Sequence, residues 1–423
     1  MEARGRICLI TPGHLSTNPR LVKEADALST AGYDVSVIST RFLEWADKHD
    51  ASFRSRPWNS AARIPFGPLA PAAIRAKQVA RQRMARAALA AGFARDIVRE
   101  ADWHHVAPDL TAATLEVKAD LYIAHYPAAL PAAAKAAARH GARYAFDAED
   151  FHLGDLPDLP EHNTVRARLR AIEARYLPGA AFVTAAAPGI ADAYVDAYAI
   201  ARPTPILNVF PLSHAPETAT SAGTAEPGPS LYWLSQTIGP GRGLETAVAA
   251  IATCPTRPHL YLRGRPTPGF IEHLKQCAGA PEAASRIHVL DIAAPHDMVR
   301  LAAAFDLGLV AETSETRNRA LCLSNKLFTY LLAGVPPLIS DTPGQRAFAR
   351  SACLEELVYP IGDDAALAQR LDAILSSPSR LAGLRRACFD LGQTSYNWEI
   401  ESQALLDIVA RTVGMRAAAR SHA

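Results

Sequence analysis

The stretch LSNKLFTYLLAGVPPLISD, residues 323–341, joins a polar start, an apolar helical face, a glycine and a buried strand. Asn325 is expected to cap a helix whose apolar residues recur with helical spacing, and Gly334 suits a left-handed helix end. Residues 335–339 then predict a strand that ends at Ser340 and Asp341. Because anionic ligands bind at such strand ends and at helix N-termini, the stretch predicts half of a nucleotide site.

Strands and helices alternate on both sides of this stretch, beginning with a strand at residues 7–10, a helix from Pro19 and a strand at residues 33–39. This alternation is typical of doubly wound α/β domains. It is interrupted by an aperiodic segment rich in Pro, Gly, Ser and Thr. The sequence therefore predicts a first Rossmann-like domain at 1–212, a linker at 213–230, a second Rossmann-like domain at 231–395 and a C-terminal helix at 396–423.

Composition excludes several classes of protein. A chain of 423 residues with 49% hydrophobic and 20% charged residues is long enough for two ordinary globular cores. The net charge of +2 gives no general attraction to nucleic acid, so no nucleic-acid partner is expected. Scattered cysteines and the lack of a leader or of about 20 successive apolar residues favour a cytoplasmic protein.

The motif Asn325-Lys326-Leu327-Phe328-Thr329-Tyr330 resembles the donor-binding segment of retaining glycosyltransferases of the GT-B fold, specifically family 4. The resemblance implies two domains facing a cleft, a C-terminal helix that crosses back to the first domain, and transfer from a nucleotide sugar without a metal or other cofactor. It also implies that Asn325, Lys326 and Thr329 bind the donor. Thr329 stands where these enzymes usually carry a glutamate.

A second motif opens the second domain, at Gly239-Pro240-Gly241-Arg242-Gly243. Glycines at 241 and 243 let the backbone approach an anion, Arg242 adds a cation, and a helix begins directly afterwards. The alternative is a plain Gly-Pro turn with a solvated arginine. Family 4 enzymes carry an arginine and a lysine here. Gln236 and Arg242 occupy those places, so Lys326 is expected to supply the second charge.

Two acids follow the predicted strand at residues 307–310. Family 4 enzymes place a glutamate pair at the positions that Leu321 and Thr329 occupy here. Glu312 is therefore predicted to contact the donor and Glu315 to act in catalysis, as substitutes on a longer loop. The alternative is that both are surface acids.

The first domain is predicted to hold the acceptor near the carboxyl ends of its strands. The loop after the first strand contains Gly13, predicted at the donor, and His14; Arg20 follows on the next helix, and both side chains are predicted at the acceptor. His125 resembles the histidine that family 4 enzymes place near the donor sugar, which implies a catalytic role. A turn glycine and packing side chains are the alternatives.

A polar cluster follows the strand that ends at Phe146. Asp147 and Glu149 are predicted to be catalytic, as bases toward an incoming hydroxyl, and Asp150 and His152 to bind the acceptor. The alternative is a group of capping residues. A metal site is disfavoured because no further ligand stands at a recognised spacing.

A basic segment precedes Glu100, with apolar residues between its charges. Such a segment is usually the solvated face of a helix, but it also suits peripheral contact with the inner surface of the cytoplasmic membrane. Its basic residues are Arg75, Lys77, Arg81, Arg83, Arg86, Arg95 and Arg99.

Together these features predict a cytoplasmic glycosyltransferase that moves a sugar from a nucleotide donor to a glycan or a lipid-linked acceptor of bacterial surface polysaccharide. Two alternatives remain open. One is a catalytically degenerate GT-B scaffold or binding protein, and the other is a nucleotide-sugar epimerase of the same fold, which needs no acceptor.

Overall fold

Two successive runs of alternating strands and helices build two parallel β-sheets, each within its own compact unit. The computed structural model describes residues 3–219 and 228–421, with side chains as far as residue 414. The first unit extends to Ile206 and includes the chain from Ser402 onward, and the second unit is Leu207–Glu401. The chain thus passes from the first unit to the second and back again.

The strands of the first unit are β1 (Arg6–Ile10), β2 (Asp34–Arg41), β3 (Asn59–Pro65), β4 (Leu121–His125), β5 (Arg143–Ala148), β6 (Val183–Ala185) and β7 (Thr204–Pro205). They form one parallel sheet in the order β3-β2-β1-β4-β5-β6-β7. Its helices are α1 (Pro19–Thr30), α2 (Glu44–Asp50), α3 (Ala72–Ala90), α4 (Asp96–Trp103), α5 (Ala107–Leu115), α6 (Leu130–His140), α7 (Asn163–Tyr176) and α8 (Pro188–Tyr198). All of β4 is buried, as expected where helices cover both faces of a parallel sheet.

The strands of the second unit are β8 (Ser230–Ile238), β9 (His259–Pro266), β10 (Ile287–Leu290), β11 (Leu307–Val310), β12 (Pro337–Ser340) and β13 (Val358–Tyr359). They are also parallel, in the order β10-β9-β8-β11-β12-β13. The helices are α9 (Leu244–Thr253), α10 (Phe270–Cys277), α11 (Pro281–Ala284), α12 (Met298–Ala302), α13 (Arg317–Leu321), α14 (Asn325–Ala333), α15 (Pro343–Ser351), α16 (Asp364–Leu375), α17 (Pro378–Thr394) and α18 (Trp398–Ser421). Helix α18 begins in this unit and continues into the first, where Val413 lies against Gly5.

Local chemistry sets the ends of the helices that follow the key strands. At the start of α1 the Asn18 side chain accepts a hydrogen bond from the Leu21 amide, and Pro19 occupies the first helical turn. Gly334 ends α14 in the left-handed conformation, as its sequence predicts. The predicted cap at Asn325 is wrong by one position: Ser324 occupies the N-cap position, without a side-chain capping hydrogen bond, and Asn325 is the first residue of the helix.

In each sheet the strand order reverses beside the first strand of that sheet. The chain moves from β1 to β2 on one side and later returns to β4 on the other, and β8 lies in the same way between β9 and β11. Side chains and loops at the carboxyl ends of the two strands that flank such a reversal are the usual ligand site of an open α/β sheet. The crevices beyond β1/β4 and beyond β8/β11 are therefore the places where function is expected.

The basic segment that precedes Glu100 is divided between α3 and α4, because Gly92 takes a positive φ of 86° in the turn between them. Strand β3 follows Trp58 directly, and the last strand of the first sheet is the two-residue β7. Of the predicted linker at 213–230, residues 220–227 lie outside the described residues, and Ser230 already belongs to β8.

The longest helices of the described chain are α18 and α3, with 24 and 19 residues. Both carry charged side chains along their length. No helix in residues 3–219 or 228–421 combines the length and the apolar character required to cross a bilayer.

Candidate functional site

The loop after β8 lies at the strand-order reversal of the second unit. Gly241 and Gly243 both have positive φ, 70° and 67°, and Gly243 directly precedes α9. A Cβ atom on Gly243 would lie 2.9 Å from the Cβ of Ala311, the residue that follows β11. The loop is thus pressed against the end of β11, with the positive end of α9 behind it.

Gly243→Ala is expected to destabilise the protein because it combines backbone strain with a steric clash. A positive φ costs a residue with a Cβ about 1–2 kcal/mol, and overpacking against Ala311 adds about 1–3 kcal/mol. Gly269→Ala is the matched control, since Gly269 also precedes a helix at a positive φ of 77° but has nothing within 4 Å of its would-be Cβ. Urea unfolding of both variants measures the difference. If both variants lost the same free energy of unfolding, the contact with Ala311 would not contribute to the destabilisation.

A charged cluster occupies the end of β11 and the start of α14. The Lys326 ammonium donates to Glu312 Oε1 at 2.7 Å, and the Ser324 hydroxyl donates to the same oxygen at 2.8 Å. Burial favours a neutral carboxyl at Glu312, but the charge and hydrogen bond of Lys326 outweigh burial and lower the pKa of Glu312 to about 2. The Lys326 ammonium also lies 5.5 Å from the ring centre of Trp233, a fully buried residue of β8.

Arg242 is the cation of this loop without a protein partner. Its side chain is partly exposed and makes no hydrogen bond or ion pair with any residue in the described part of the chain. Its charge contributes to the low pKa of Glu312, so the guanidinium acts on the same crevice. A cation held near a helix N-terminus and a glycine loop, without an acid of its own, is suited to an anionic ligand.

Arg319 of α13 fixes the loop from its other side. One guanidinium nitrogen donates to the Gly241 carbonyl oxygen at 3.1 Å and to Glu315 Oε2 at 3.0 Å. The Glu315 side chain is 57% exposed, so the residue predicted to be catalytic forms a surface ion pair beside the loop. Its closeness to Gly241 keeps it at the rim of the crevice.

The remaining residues predicted at the donor differ in their exposure. Gln236 lies on the exposed part of β8, and Asn325 is exposed at the first position of α14. The Thr329 side chain is 1% exposed, and its hydroxyl donates to the Asn325 carbonyl oxygen at 2.9 Å. The Thr329 hydroxyl thus bonds to the backbone of its own helix, because a hydroxyl on a short side chain reaches the carbonyl oxygen one turn earlier.

In the first unit, Arg20 and Asp147 form a fully buried bidentate pair. Arg20 Nε and Nη2 donate to the two carboxylate oxygens of Asp147 at 2.7 and 2.8 Å. A third nitrogen of Arg20 donates to the Ile206 carbonyl oxygen, and the Thr184 hydroxyl donates to Asp147 Oδ1 at 2.6 Å. Residues predicted to bind acceptor and to catalyse are therefore partners of each other inside the fold.

His125, at the end of β4, lies between two acids. Its Nε2 is 3.2 Å from a Glu24 oxygen and its Nδ1 is 3.3 Å from Asp147 Oδ2. Burial opposes a charged imidazole, but the two carboxylates outweigh it and raise the pKa of His125 to about 10. The two carboxylates thus favour the protonated form of His125, and they lie at ion-pair distance from its ring nitrogens without hydrogen-bond geometry.

This raised pKa predicts a loss of stability at alkaline pH. A histidine whose pKa rises on folding from 6.5 to about 10 contributes stability that is complete below pH 6.5 and is lost as the pH rises through 10. His125→Gln should flatten the pH dependence of the unfolding free energy in that window, and His296→Gln, with a 71% exposed side chain, should not. Parallel curves for the parent and His125→Gln would contradict the assignment.

His14, predicted to bind acceptor, is fully buried and has both ring nitrogens in use. Its Nδ1 lies 2.9 Å from Asp50 Oδ2, and its Nε2 accepts hydrogen bonds from the amides of Phe42 and Leu43 at 2.9 and 3.0 Å. Since Nε2 accepts, Nδ1 carries the proton and donates to Asp50. His14 therefore shapes the loop that contains Gly13, whose carbonyl oxygen accepts from the Thr40 amide.

A second polar group lies beyond the ends of β4 and β5. The Tyr126 hydroxyl donates to Glu149 at 3.5 Å, and the ring of His152 is 5.4 Å from that of Tyr126. Burial, followed by the neighbouring acids, raises the pKa of Glu149 to about 7, although Arg20 opposes the shift. Asp150 is half-buried beside them, and its carbonyl oxygen accepts from Tyr194. The raised pKa of Glu149 favours the neutral carboxyl more than in an ordinary glutamate.

Among the described residues, two groups of acids and histidines are close enough to bind a metal ion, and an arginine already pairs with the acids of each group. Arg20 reaches the acids of the group made by Glu24, His125 and Asp147. Arg63 donates to both acids of the group made by His14, Asp47 and Asp50, at 2.6 and 2.8 Å. The guanidinium groups thus supply the positive charge that a cation would supply.

Several side chains of these sites were not singled out from the sequence. Their roles come from residues that are distant along the chain, as in the pairing of Arg319 with Gly241. For Ser324 a local signal exists, since it directly precedes the Asn325-Lys326 motif. The residues concerned are Glu24, Tyr126, Thr184, Trp233, Arg319 and Ser324.

No protein family model and no curated protein match the chain. Solved structures match over nearly its whole length. HepE from Anabaena in complex with UDP and glucose is 16% identical, with a TM-score of 0.67, over 96% of this chain and 100% of that one. Sucrose-phosphate synthase from Thermosynechococcus elongatus is 17% identical, with a TM-score of 0.65, over 97% and 99%.

A glycosyltransferase from Rickettsia africae is 12% identical, with a TM-score of 0.64, over 96% of this chain and 98% of that one. The fold common to these structures is the GT-B fold, so the fold class predicted from the sequence is confirmed. At this level of identity the likeness concerns the fold.

Proposed function

We propose that the protein is a glycosyltransferase that transfers a sugar from a nucleoside diphosphate donor bound in the second unit. The observation that carries the proposal is the crevice beyond β8 and β11. There a glycine loop and the N-terminus of α9 follow β8, and Arg242, which has no side-chain hydrogen bond or ion pair within the described residues, stands between Gly241 and Gly243. This combination is suited to a diphosphate.

Arg242 and Lys326 would act on the leaving group. When the bond between the anomeric carbon and the diphosphate breaks, negative charge grows on the phosphate oxygens, and cations placed in advance stabilise that charge. Lys326 is held at the crevice by Glu312 and Ser324, so its ammonium needs little reorganisation. Transfer with retention and without a metal rests on the resemblance to family 4.

The first unit supports an acceptor site near Glu149. A carboxyl group with a pKa of about 7 accepts a proton readily at neutral pH, as a base toward an acceptor hydroxyl must. Asp147 is less suited to that role because Arg20 occupies both of its oxygens. In this proposal Asp147 orients Arg20 and His125, and Glu149 takes the proton.

The donor proposed first is UDP-glucose or another UDP-hexose. HepE, whose fold this chain shares, was solved with UDP-glucose as well as with UDP and glucose. The acceptor proposed is a glycan or a lipid-linked sugar of surface polysaccharide, an assignment that rests on the resemblance to family 4.

Calorimetry of the full chain with UDP, UDP-glucose and the corresponding GDP compounds tests the proposal. Binding of a nucleoside diphosphate and its sugar is expected, followed by release of the nucleotide when a hydroxylated acceptor is supplied. Folded protein that binds no nucleotide would contradict the donor site. Binding without transfer to any acceptor would favour the degenerate protein, and conversion of the donor alone, followed by NMR, would favour an epimerase.

A further inference from the structure

The segment formed by α3, the turn at residues 91–95 and α4 presents a cationic surface of the first unit. In α3, the buried side chains are those of Gln78 and Ala85. The basic surface is defined here by five exposed cations, none of which forms an ion pair or hydrogen bond through its side chain within the described residues. They are Arg75, Lys77, Arg83, Arg95 and Arg99.

The acids of the same region are all neutralised by other residues. Asp96 pairs with Arg175 at 2.7 Å, Glu100 pairs with Lys135, and Asp109 pairs with Arg81 at 2.8 Å. Asp102 is shared by Arg86 and Arg168, at 3.3 and 2.8 Å. Because every acid of this region already has another ion-pair partner, the positive charge of the five cations of the basic surface is not compensated within the region.

Large apolar side chains stand among these cations. Phe93 is 66% exposed at the turn between the helices, and Ile97 and Met84 are 64% and 66% exposed. The turn is held by its own backbone, since the Phe93 amide donates to the Ala88 carbonyl oxygen and the Gly92 amide to that of Leu89. Phe93 is thus exposed in an ordered turn, four residues before Ile97 of α4.

We propose that the basic surface binds the anionic headgroups of a lipid bilayer, with Phe93 and Ile97 entering the interface. Cations attract acidic headgroups, and apolar side chains between them gain by leaving water, which is the combination that interfacial segments use. Nucleic acid would use the cations and stack on Phe93, but it gives the aliphatic side chains of Ile97 and Met84 no environment comparable to the bilayer interface. This inference does not depend on the reaction proposed above.

Co-sedimentation of the full chain with vesicles tests the proposal, without any nucleotide sugar. Binding is expected to vesicles that contain phosphatidylglycerol, to weaken with added salt, and to be absent from pure phosphatidylcholine. Each cation near the surface contributes about fivefold to the partition, so the triple variant Arg83→Gln, Arg95→Gln and Arg99→Gln should bind on the order of a hundredfold more weakly.

A second variant separates the apolar contribution. Phe93→Ser with Ile97→Ser should weaken vesicle binding severalfold, while the matched control Val289→Ser with Ile292→Ser changes two exposed apolar residues of the second unit, 43% and 58% exposed, and should bind like the parent. Unfolding curves establish that each variant is folded. Absence of parent binding, a folded triple variant that binds equally well, or displacement of vesicles by single-stranded nucleic acid would overturn the proposal.

Discussion

Lys326→Ala is expected to weaken the binding of UDP by about 1.5–3 kcal/mol, the range for a hydrogen bond that involves a charged group. Arg242→Ala should weaken binding by a similar amount, because both cations are proposed to contact the diphosphate. The two variants differ in stability. Lys326→Ala leaves the Glu312 carboxylate, 16% exposed, without its ion-pair partner, whereas Arg242→Ala breaks no side-chain hydrogen bond or ion pair in the described chain. Calorimetry with UDP and urea unfolding measure the two effects.

The double variant Lys326→Met with Glu312→Gln separates binding from stability. It removes both charges, so the unfolding free energy should recover toward that of the parent while UDP binding stays weak. Arg386→Ala, which removes an exposed arginine of α17, is the control for a general loss of positive charge. If Lys326→Ala and Arg242→Ala both bind UDP like the parent, the diphosphate does not lie at the crevice of the second unit.

Asp147→Ala is expected to reduce the free energy of unfolding by about 3–5 kcal/mol, as for the loss of one partner of a buried ion pair. The variant removes the bidentate partner of the Arg20 guanidinium, which is 0% exposed and keeps only Glu24, at 3.5 Å, as a carboxylate partner, and it removes one of the two acids beside His125. Urea unfolding at neutral pH measures the loss. Asp158→Ala is the control, since Asp158 pairs with Arg166 through a side chain that is 95% exposed.

A catalytic base at Asp147 would give a different result. In that case Asp147→Ala would keep its stability and lose transfer activity. In the proposed arrangement the variant loses stability first, and Glu149→Gln abolishes the acceptance of the hydroxyl proton without a comparable loss of stability.

The parts of the fold and site that depend on local chemistry were predictable from the sequence. The alternation of strands and helices predicts both parallel sheets, and the positive φ of Gly241, Gly243 and Gly334 agrees with the turn and helix end that their positions indicate. Lys326 was expected near a phosphate; it lies in the first turn of α14 with its ammonium on Glu312, and its role at a phosphate stays a prediction. Each of these features involves residues that are close along the chain or share a strand end.

The partners of the charged side chains were not predictable in the same way. Arg20 and Asp147 are 127 positions apart, and neither residue's neighbours indicate the other. Arg20 follows a strand of the first sheet and Asp147 lies near the end of another, as ligand-binding residues often do. In the structure both side chains are buried, and each supplies the opposite charge that the other needs away from water. The same limit applies to His14. Its two ring nitrogens bond to the Asp50 side chain and to the Phe42 and Leu43 amides, which lie 28–36 positions further along the chain.

The hydrogen bond between Arg20 and the carbonyl of Ile206 joins residues 186 positions apart, and the first unit also takes in the chain from Ser402 onward. During synthesis from the N-terminus, the ribosome therefore releases the whole of Leu207–Glu401 before the last piece of the first unit emerges. The second unit can be completed from one continuous stretch, whereas the first unit, whose seven strands have all emerged by Pro205, still lacks its last helix at that point. The unit whose synthesis begins first is therefore the unit whose chain is completed last.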